Sequence, residues 1–234
     1  MRYERIFVIS DQHFPYNHPD VVPFLKACDS KFKPQKIVNI GDEIDGHSIS
    51  FHEHIPDLLA PADELATAIN RLKPIMNLWP EMDILESNHG SLVYRRGRFA
   101  GLPSKVFKSY RDILEAPKGW QWHDDLILRA SNGRPIYFCH GLTKDSLKAS
   151  RSKSMSFVCG HFHSSFEIRY WANGLDLFWS MVVGCLIDHK SLAYSYGKTF
   201  LEKPILGCGA IIGGHPQLVP MVVNRHGRWI GKLV

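Results

Sequence analysis

The stretch RIFVISDQH, residues 5–13, joins an apolar run of strand length to a polar Asp-x-His group. Four later stretches repeat this arrangement, because apolar runs at 37–40, 82–85, 136–139 and 157–160 each end in a polar group. Short runs of β-branched and aromatic residues predict strands, and their continuous apolar character indicates strands covered on both faces. The five runs therefore predict buried strands that each deliver polar side chains at one end.

Helical periodicity fills the intervals between the early runs. Apolar side chains recur at helical spacing in three segments, residues 20–30, 63–78 and 104–114. Pro74 predicts a kink or an end in the second segment, and Ser104 is predicted to cap the third. The alternation of strands and helices predicts an α/β layered fold.

The pattern changes after about residue 164. Further strands are predicted at 165–171, 175–183, 205–212 and 217–223. Residues 46–60 and 90–103 show no clear periodicity and are predicted to form long loops, which in compact domains are usually functional. We predict a single domain over residues 1–234, with a basic loop or cap segment at about 90–118 and a strand-rich C-terminal part at about 165–234.

The polar groups at the strand ends form a coherent set of metal ligands. In α/β sheets, ligands bind beyond the carboxyl ends of the strands, so these side chains are expected to meet. The set contains oxygen and imidazole donors without a thiolate, which suits borderline divalent ions. It is larger than one tetrahedral ion needs, and two ions bridged by one carboxylate would use it well. Its members are Asp11, His13, Asp42, Asn88, His89, His140, His161 and His163.

Composition narrows the class of protein. The chain of 234 residues has 13 histidines, an unusual number, and a formal net charge of +5. The positive charge is concentrated in residues 91–118 and 144–153, which favours an anionic partner.

Five cysteines without a CxxC pair indicate a reducing compartment. No signal-peptide core and no membrane-spanning run is present in the sequence, so we expect a soluble, cytoplasmic protein without membrane contact.

The polar groups also fall into the motif order of a known family. The blocks are Asp11-Gln12-His13, Gly41-Asp42-Glu43-Ile44-Asp45, Ser87-Asn88-His89-Gly90, His140-Gly141 and Gly160-His161-Phe162-His163. All five occur in order between residues 11 and 163, and each follows a predicted strand. In this respect the chain resembles the calcineurin-like metallophosphoesterases.

The resemblance implies a fold and a role for each block. The fold would be a four-layer α/β arrangement, a two-sheet β-sandwich flanked by helices. Asp42 would bridge two divalent ions, Mn²⁺ foremost, with Zn²⁺, Fe²⁺, Ni²⁺ or Mg²⁺ as alternatives. His89 would be the catalytic residue over the scissile phosphate, and a hydroxide bridging the ions would attack phosphorus in line with the leaving oxygen. One ion would be held by Asp11, His13 and His163, the other by Asn88, His140 and His161.

Two departures from the family pattern bear on activity. Gly90 stands where the family has an acidic residue, so His89 needs another partner, for which Asp45 and Asp11 are the candidates. The second block continues Gly46-His47 instead of Arg-Gly, so the phosphate-clamping arginine of the protein phosphatases is missing there. This favours diesterases and nucleotide hydrolases over protein phosphatases.

Substrate contacts are predicted around this site. Arg95, Arg96 and Arg98 form either a phosphate clamp or a solvated loop. His47, His52, Glu53 and His54 form either the rim of the site or an ordinary polar loop.

We predict a dimetal phosphodiesterase acting on nucleic acid or nucleotides. A phosphomonoesterase or dinucleotide-polyphosphate hydrolase and a non-catalytic binding module are the alternatives. The sequence leaves the oligomeric state open.

Overall fold

The computed structural model describes residues 1–51, 55, 57–174, 176–191, 193 and 201–234. The strands within these ranges are β1 (Arg2–Tyr3), β2 (Arg5–Ile9), β3 (Lys36–Asn39), β4 (Glu81–Leu85), β5 (Gly119–His123), β6 (Leu126–Ala130), β7 (Pro135–Phe138), β8 (Ser156–Cys159), β9 (Phe166–Ala172), β10 (Leu177–Val183), β11 (Gly207–Ile212) and β12 (His215–Pro220). The α-helices are α1 (Val21–Phe32), α2 (Pro61–Leu78), α3 (Leu92–Phe99), α4 (Tyr110–Ile113) and α5 (Ser146–Lys153). Two 3₁₀ turns cover His47–Ile49 and Ser104–Val106.

The described strands form two mixed sheets of six strands each. The first has the order β12-β11-β2-β3-β4-β5, in which β2 to β5 run parallel and β11 is antiparallel to both neighbours. The second has the order β1-β6-β7-β8-β10-β9, in which β7, β8 and β10 run parallel. The edge strand β9 pairs antiparallel with β10.

Alternation along the strands separates the layers. In β2, Ile6 and Val8 belong to the apolar cluster between the two sheets, whereas Phe7 and Ile9 belong to the cluster that packs on α1 and α2. Successive strand side chains point to opposite faces, so a continuous apolar run supplies both clusters. Burial of each such side chain contributes roughly 1.5–3 kcal/mol. A third cluster packs the outer face of β7 and β8 against α5.

The predicted α/β sandwich of two sheets with flanking helices is therefore confirmed. The five apolar runs form β2, β3, β4, β7 and β8, and the predicted helix at 63–78 is α2. Pro74 lies inside α2, which continues to Leu78. None of the described helices is long and apolar enough to cross a membrane. All five cysteines are free and buried.

Two local predictions were wrong. Residues 90–103 contain α3, whose sequence is rich in arginine and therefore shows no apolar stripe. This helix packs on the rest of the protein through Leu92 and Gly97. A Cβ at Gly97 would lie 1.9 Å from the Phe107 ring, so the glycine allows close packing there. Residues 104–114 are not one helix, because the Ser109 side chain accepts a hydrogen bond from the Asp112 N–H and starts α4 there. The sequence also did not predict β5 and β6.

Candidate metal centre and active site

The candidate site lies where the turns after β2, β3, β4, β7 and β8 converge. The first two turns are bonded to each other through their backbones. The Asp11 N–H donates to the Gly41 carbonyl at 3.0 Å, and the His13 N–H donates to the Asp42 carbonyl at 2.9 Å. Parallel neighbouring strands end at the same edge, so this pairing continues past the strands and brings the two blocks together.

Unusual backbone conformations aim several of these side chains. Asp11, His13, Asp42 and His161 have φ of 50°, 52°, 53° and 65°, a left-handed region that non-glycine residues seldom adopt. Each such residue costs on the order of 1–3 kcal/mol and persists only when its surroundings enforce it. Gly160 is needed beside them, since a Cβ there would lie 1.8 Å from Ser10 Oγ.

In the first group of donors, Asp11 and His13 are buried and His163 is half-buried. Asp11 Oδ1 lies 3.0 Å from His163 Nε2 and 3.8 Å from His13 Nε2. The other carboxylate oxygen, Asp11 Oδ2, accepts from the Ser10 hydroxyl and from the His161 N–H at 2.9 Å. One oxygen is therefore fixed by the protein while the other faces the histidines.

The second group is more exposed. His140 Nε2 lies 2.8 Å from Asn88 Oδ1 and 3.1 Å from His161 Nδ1. His140 Nδ1 lies 2.9 Å from the Ile40 carbonyl oxygen, which can only accept. The hydrogen of a neutral His140 is therefore on Nδ1, and its Nε2 lone pair faces the other donors.

Asp42 joins the two groups. Its Oδ2 lies 3.6 Å from His13 Nε2 and 3.2 Å from His140 Nε2, while its Oδ1 accepts from the His89 N–H at 3.0 Å. Asp42 Oδ2 thus faces one histidine of each group. The Asp42 N–H in turn donates to Ser87 Oγ at 3.0 Å, which ties the β3 and β4 turns together.

The donor set fits two divalent ions. Ligands of one zinc-like ion lie about 2.0–2.2 Å from it, so they lie roughly 3–3.5 Å from one another. The separations within each group are of this size. Ligand atoms within 4.8 Å of one another include the triads Asp11–His13–His163 and Asp42–His140–His161. A cation between them would satisfy the lone pairs of imidazole nitrogens and carboxylates that converge in this way.

The electrostatics of the centre point the same way. Burial raises the pKa of Asp11 and Asp42, but the neighbouring histidines hold both carboxyl pKa values well below the ordinary value. Burial lowers the pKa of His13, but hydrogen bonds and the negative charges around it raise that pKa to about 10. The pKa of His140 is raised in the same way to about 9. Burial and the charge of His140 lower the pKa of His161. The centre therefore attracts positive charge strongly.

His89 lies against this centre and is held by Asp45. The ring centroids of His89 and His13 are 4.5 Å apart. His89 Nδ1 contacts the Asp45 carbonyl oxygen and lies 3.3 Å from Asp45 Oδ1, so Nδ1 carries a hydrogen. The same Oδ1 lies 3.0 Å from His13 Nδ1. Of the two partners considered for His89, the structure places Asp45 beside it, where it also orients the candidate ligand His13.

The arginines of α3 occupy three different environments. Arg96 donates from its guanidinium to the carbonyls of Ile49 and Ser50, and its guanidinium carbon lies 4.0 Å from the Phe51 ring centre. Arg95 donates to the Asn88 carbonyl. Arg98 is exposed. Arg96 therefore holds the segment after β3, and a phosphate clamp would rest on the other two.

The predicted rim is only partly described. His47 is buried, and its ring lies edge-on to Tyr16 at a centroid distance of 6.4 Å. The backbone N–H of His47 donates to the Glu64 carboxylate. His52, Glu53 and His54 lie outside the described residues.

Sequence reasoning missed several supporting groups. The Ser10 hydroxyl and the Ile40 carbonyl fix Asp11 and His140, and no motif marks them. Glu43 is buried behind Asp42 with its carboxylate 3.2 Å from Trp122 Nε1, and burial raises its pKa to about 7. The position of Glu43 inside the second motif block could have identified it from the sequence.

Comparisons with known proteins concern the fold. No protein-family model matches the chain, and no curated protein matches its sequence. The chain is similar in structure to Vps29 of Chaetomium thermophilum, with 11% identity, 98% of this chain and 94% of that chain covered, and a TM-score of 0.50. Vps29 of Cryptosporidium parvum aligns at 14% identity over 100% and 96% of the chains with a TM-score of 0.49. YfcE, a phosphoesterase from E. coli, aligns at 12% identity over 98% of each chain with a TM-score of 0.48.

At such identities a structural likeness shows the fold alone. The two packed mixed sheets with flanking helices are the fold that the five motif blocks imply. The fold that the resemblance implies is thereby confirmed.

Proposed function

We propose that this protein is a dimetal phosphoester hydrolase that acts on phosphodiesters. The observation that carries the proposal is the position of Asp42 Oδ2, which faces His13 Nε2 at 3.6 Å and His140 Nε2 at 3.2 Å. A single carboxylate oxygen between two sets of donors is the arrangement that a bridged pair of ions requires. His89 lies at the border of these donors, where Asp45 holds it, and supplies a group for proton transfer.

Seven side chains would hold the metal ions. When bound, two divalent ions would polarise the phosphoryl oxygens and supply an activated water as nucleophile. Asp11, His13 and His163 are the donors on one side and Asn88, His140 and His161 those on the other, with Asp42 between them. This mixture of oxygen and imidazole donors suits Mn²⁺ and also accepts Zn²⁺, Fe²⁺ or Ni²⁺.

His89 would act on the leaving group. Its Nδ1 is occupied by Asp45, so Nε2 is the atom available to a substrate. The water oxygen forms a bond to phosphorus as the bond to the leaving oxygen breaks, and protonated His89 gives its Nε2 proton to that oxygen. General acid catalysis of this kind contributes about 10²- to 10⁴-fold.

The arginines favour a diester over a monoester. A monoester dianion carries more charge and needs additional cations, which bidentate arginines commonly supply. Position 46 is a glycine, and the Arg96 guanidinium is engaged by the Ile49 and Ser50 carbonyls. The preference for nucleic acid or nucleotides rests on the exposed cations of residues 90–118. It predicts binding that weakens steeply with salt.

The test compares two variants that affect different steps. Asp42→Asn is expected to reduce Mn²⁺ content from about two equivalents and to abolish hydrolysis of bis-p-nitrophenyl phosphate, because the shared ligand loses its charge. His89→Ala is expected to retain the metal and to lose about 10²- to 10⁴-fold in kcat. His215→Ala, at an exposed histidine, is the control.

The same assay separates the rival functions. Wild-type turnover in both variants would refute the proposed site. Faster hydrolysis of p-nitrophenyl phosphate than of the diester or of a DNA oligonucleotide would identify a monoesterase. Less than one equivalent of metal in the wild-type protein after loading would indicate a non-catalytic module.

A further inference from the structure

A cavity of about 320 Å³ opens beside His89. It lies between the turn after β3, the N-terminal half of α2, the start of α3, and α4. Its size is at the lower end of the range of small-molecule sites, roughly 300–1,000 Å³. No part of the proposed metal chemistry uses this space.

Among the described residues, the wall of the cavity is almost entirely apolar. Examples of the side chains that form it are Phe14, Ile44, Leu65 and Ala68. Among the few polar ones, the Glu64 carboxylate already accepts from the backbone N–H groups of residues 47 and 48, at 2.7 and 2.8 Å. The cavity therefore offers a large apolar surface and few free hydrogen-bonding groups.

His89 belongs both to the cavity wall and to the border of the metal centre. It lines the cavity, its ring lies 4.5 Å from that of His13, and Asp45 fixes its Nδ1. The group to which His89 gives its proton in the proposed reaction is the leaving oxygen. Since His89 also lines the cavity, a substituent on that oxygen that passes the His89 ring would enter the cavity.

We infer that the cavity beside His89 takes the leaving group of the phosphoester and that this group is apolar, a hydrocarbon chain or an aromatic ring. The inference rests on the proposed function and specifies its substrate class. A nucleobase fits poorly as the leaving group, because its several polar edge atoms would lose water and find few partners in this wall. On this inference a nucleotide could form only the part of the diester that stays on phosphorus. The leaving oxygen accepts the proton of His89 as its bond to phosphorus breaks, and an apolar alcohol or phenol departs.

The test measures binding of O-methyl n-alkylphosphonates of increasing chain length to the Mn²⁺-loaded protein by calorimetry. Their alkyl chain is attached through a P–C bond that the reaction does not cleave, and phosphorus NMR checks that the methyl ester stays intact during the titration, so binding is read separately from turnover. Affinity is expected to rise about fourfold per methylene until the cavity is full, because each buried methylene is worth about 0.8 kcal/mol.

A matched pair of variants tests the location. Ala62 is exposed and lines the cavity, whereas Ala66 is exposed on the same helix and does not line it. Ala62→Trp is expected to flatten the dependence on chain length while binding of the methyl compound stays unchanged. Ala66→Trp is expected to behave as the wild-type protein. Both changes lie on the surface, and thermal unfolding checks that both variants fold.

The outcomes separate this inference from the proposed function. If the methyl compound binds and longer chains bind no better, the cavity is not the leaving-group site, while the dimetal proposal stands. If chain length matters equally in both tryptophan variants, the apolar site lies elsewhere and the inference is wrong. If no phosphonate binds and no diester is hydrolysed, the proposed function fails and this inference fails with it.

Discussion

The metal centre and the apolar cavity are two walls that meet at His89, and they are built in opposite ways. The candidate metal centre is charged, and its carboxylates, imidazoles and backbone groups are held by hydrogen bonds of 2.8–3.0 Å. Among the described residues, the cavity is lined almost entirely by apolar atoms and has few polar partners to offer. Under the proposed function this difference would be a division of labour, in which the charged wall would perform the chemistry and the apolar wall would select the substrate.

Of the predicted substitutions, Asp45→Asn is expected to have the largest effect, and it acts on the charged wall. Asp45 Oδ1 lies 3.0 Å from His13 Nδ1 and 3.3 Å from His89 Nδ1, so its charge supports a candidate ligand and the candidate acid together. Removal of such an outer partner typically costs 10- to 100-fold in metal affinity or activity, and both are expected to fall here. Steady-state kinetics and Mn²⁺ titration measure the two effects.

The control for this change is Asp57→Asn, which removes the same charge at an exposed position. It is expected to leave kcat and metal affinity unchanged. The dependence of phosphonate affinity on chain length is expected to survive in Asp45→Asn, since the cavity wall is untouched. Equal losses in the two aspartate variants would mean that net charge, and not the orientation of His13 and His89, matters.

The next prediction concerns pH and the charged wall alone. Neutral histidines bind metal, and the metal-free protein holds the pKa of His13 at about 10 and that of His140 at about 9. Because both pKa values lie above 7, each residue must lose a proton on metal binding. Mn²⁺ affinity is therefore expected to rise roughly tenfold per pH unit for each proton released between about pH 6.5 and 8.5.

Calorimetric titration with Mn²⁺ in two buffers of different ionisation enthalpy counts the released protons. The expected number at pH 7 is about two. Binding that releases no protons and has the same affinity at both ends of this pH range would contradict the assignment of His13 and His140 as ligands.

The sequence predicted the charged wall far better than the apolar one, for a physical reason. Each metal donor follows a strand within a short motif, and parallel strands carry their ends to one edge, so local patterns suffice to bring Asp11 and Asp42 together. The cavity is assembled from five separated segments, among them the start of α3, whose arginine-rich sequence hides its helical period. Its wall depends on packing between elements, such as Gly97 against Phe107, which no local pattern encodes.

Tyr110 gives the smallest and most discriminating prediction, because it places a polar atom in the apolar wall. Its side chain lines the cavity, and its buried hydroxyl has no hydrogen-bond partner among the described residues. Tyr110→Phe is therefore expected to leave the free energy of unfolding unchanged or to raise it by up to about 1 kcal/mol. Tyr137→Phe is the control, since its hydroxyl donates to Asp125 at 2.6 Å and its loss is expected to cost about 1 kcal/mol. Equal destabilisation of both variants in denaturant titrations would show that a bound water or ligand pairs with Tyr110, and that the apolar wall carries a polar anchor after all.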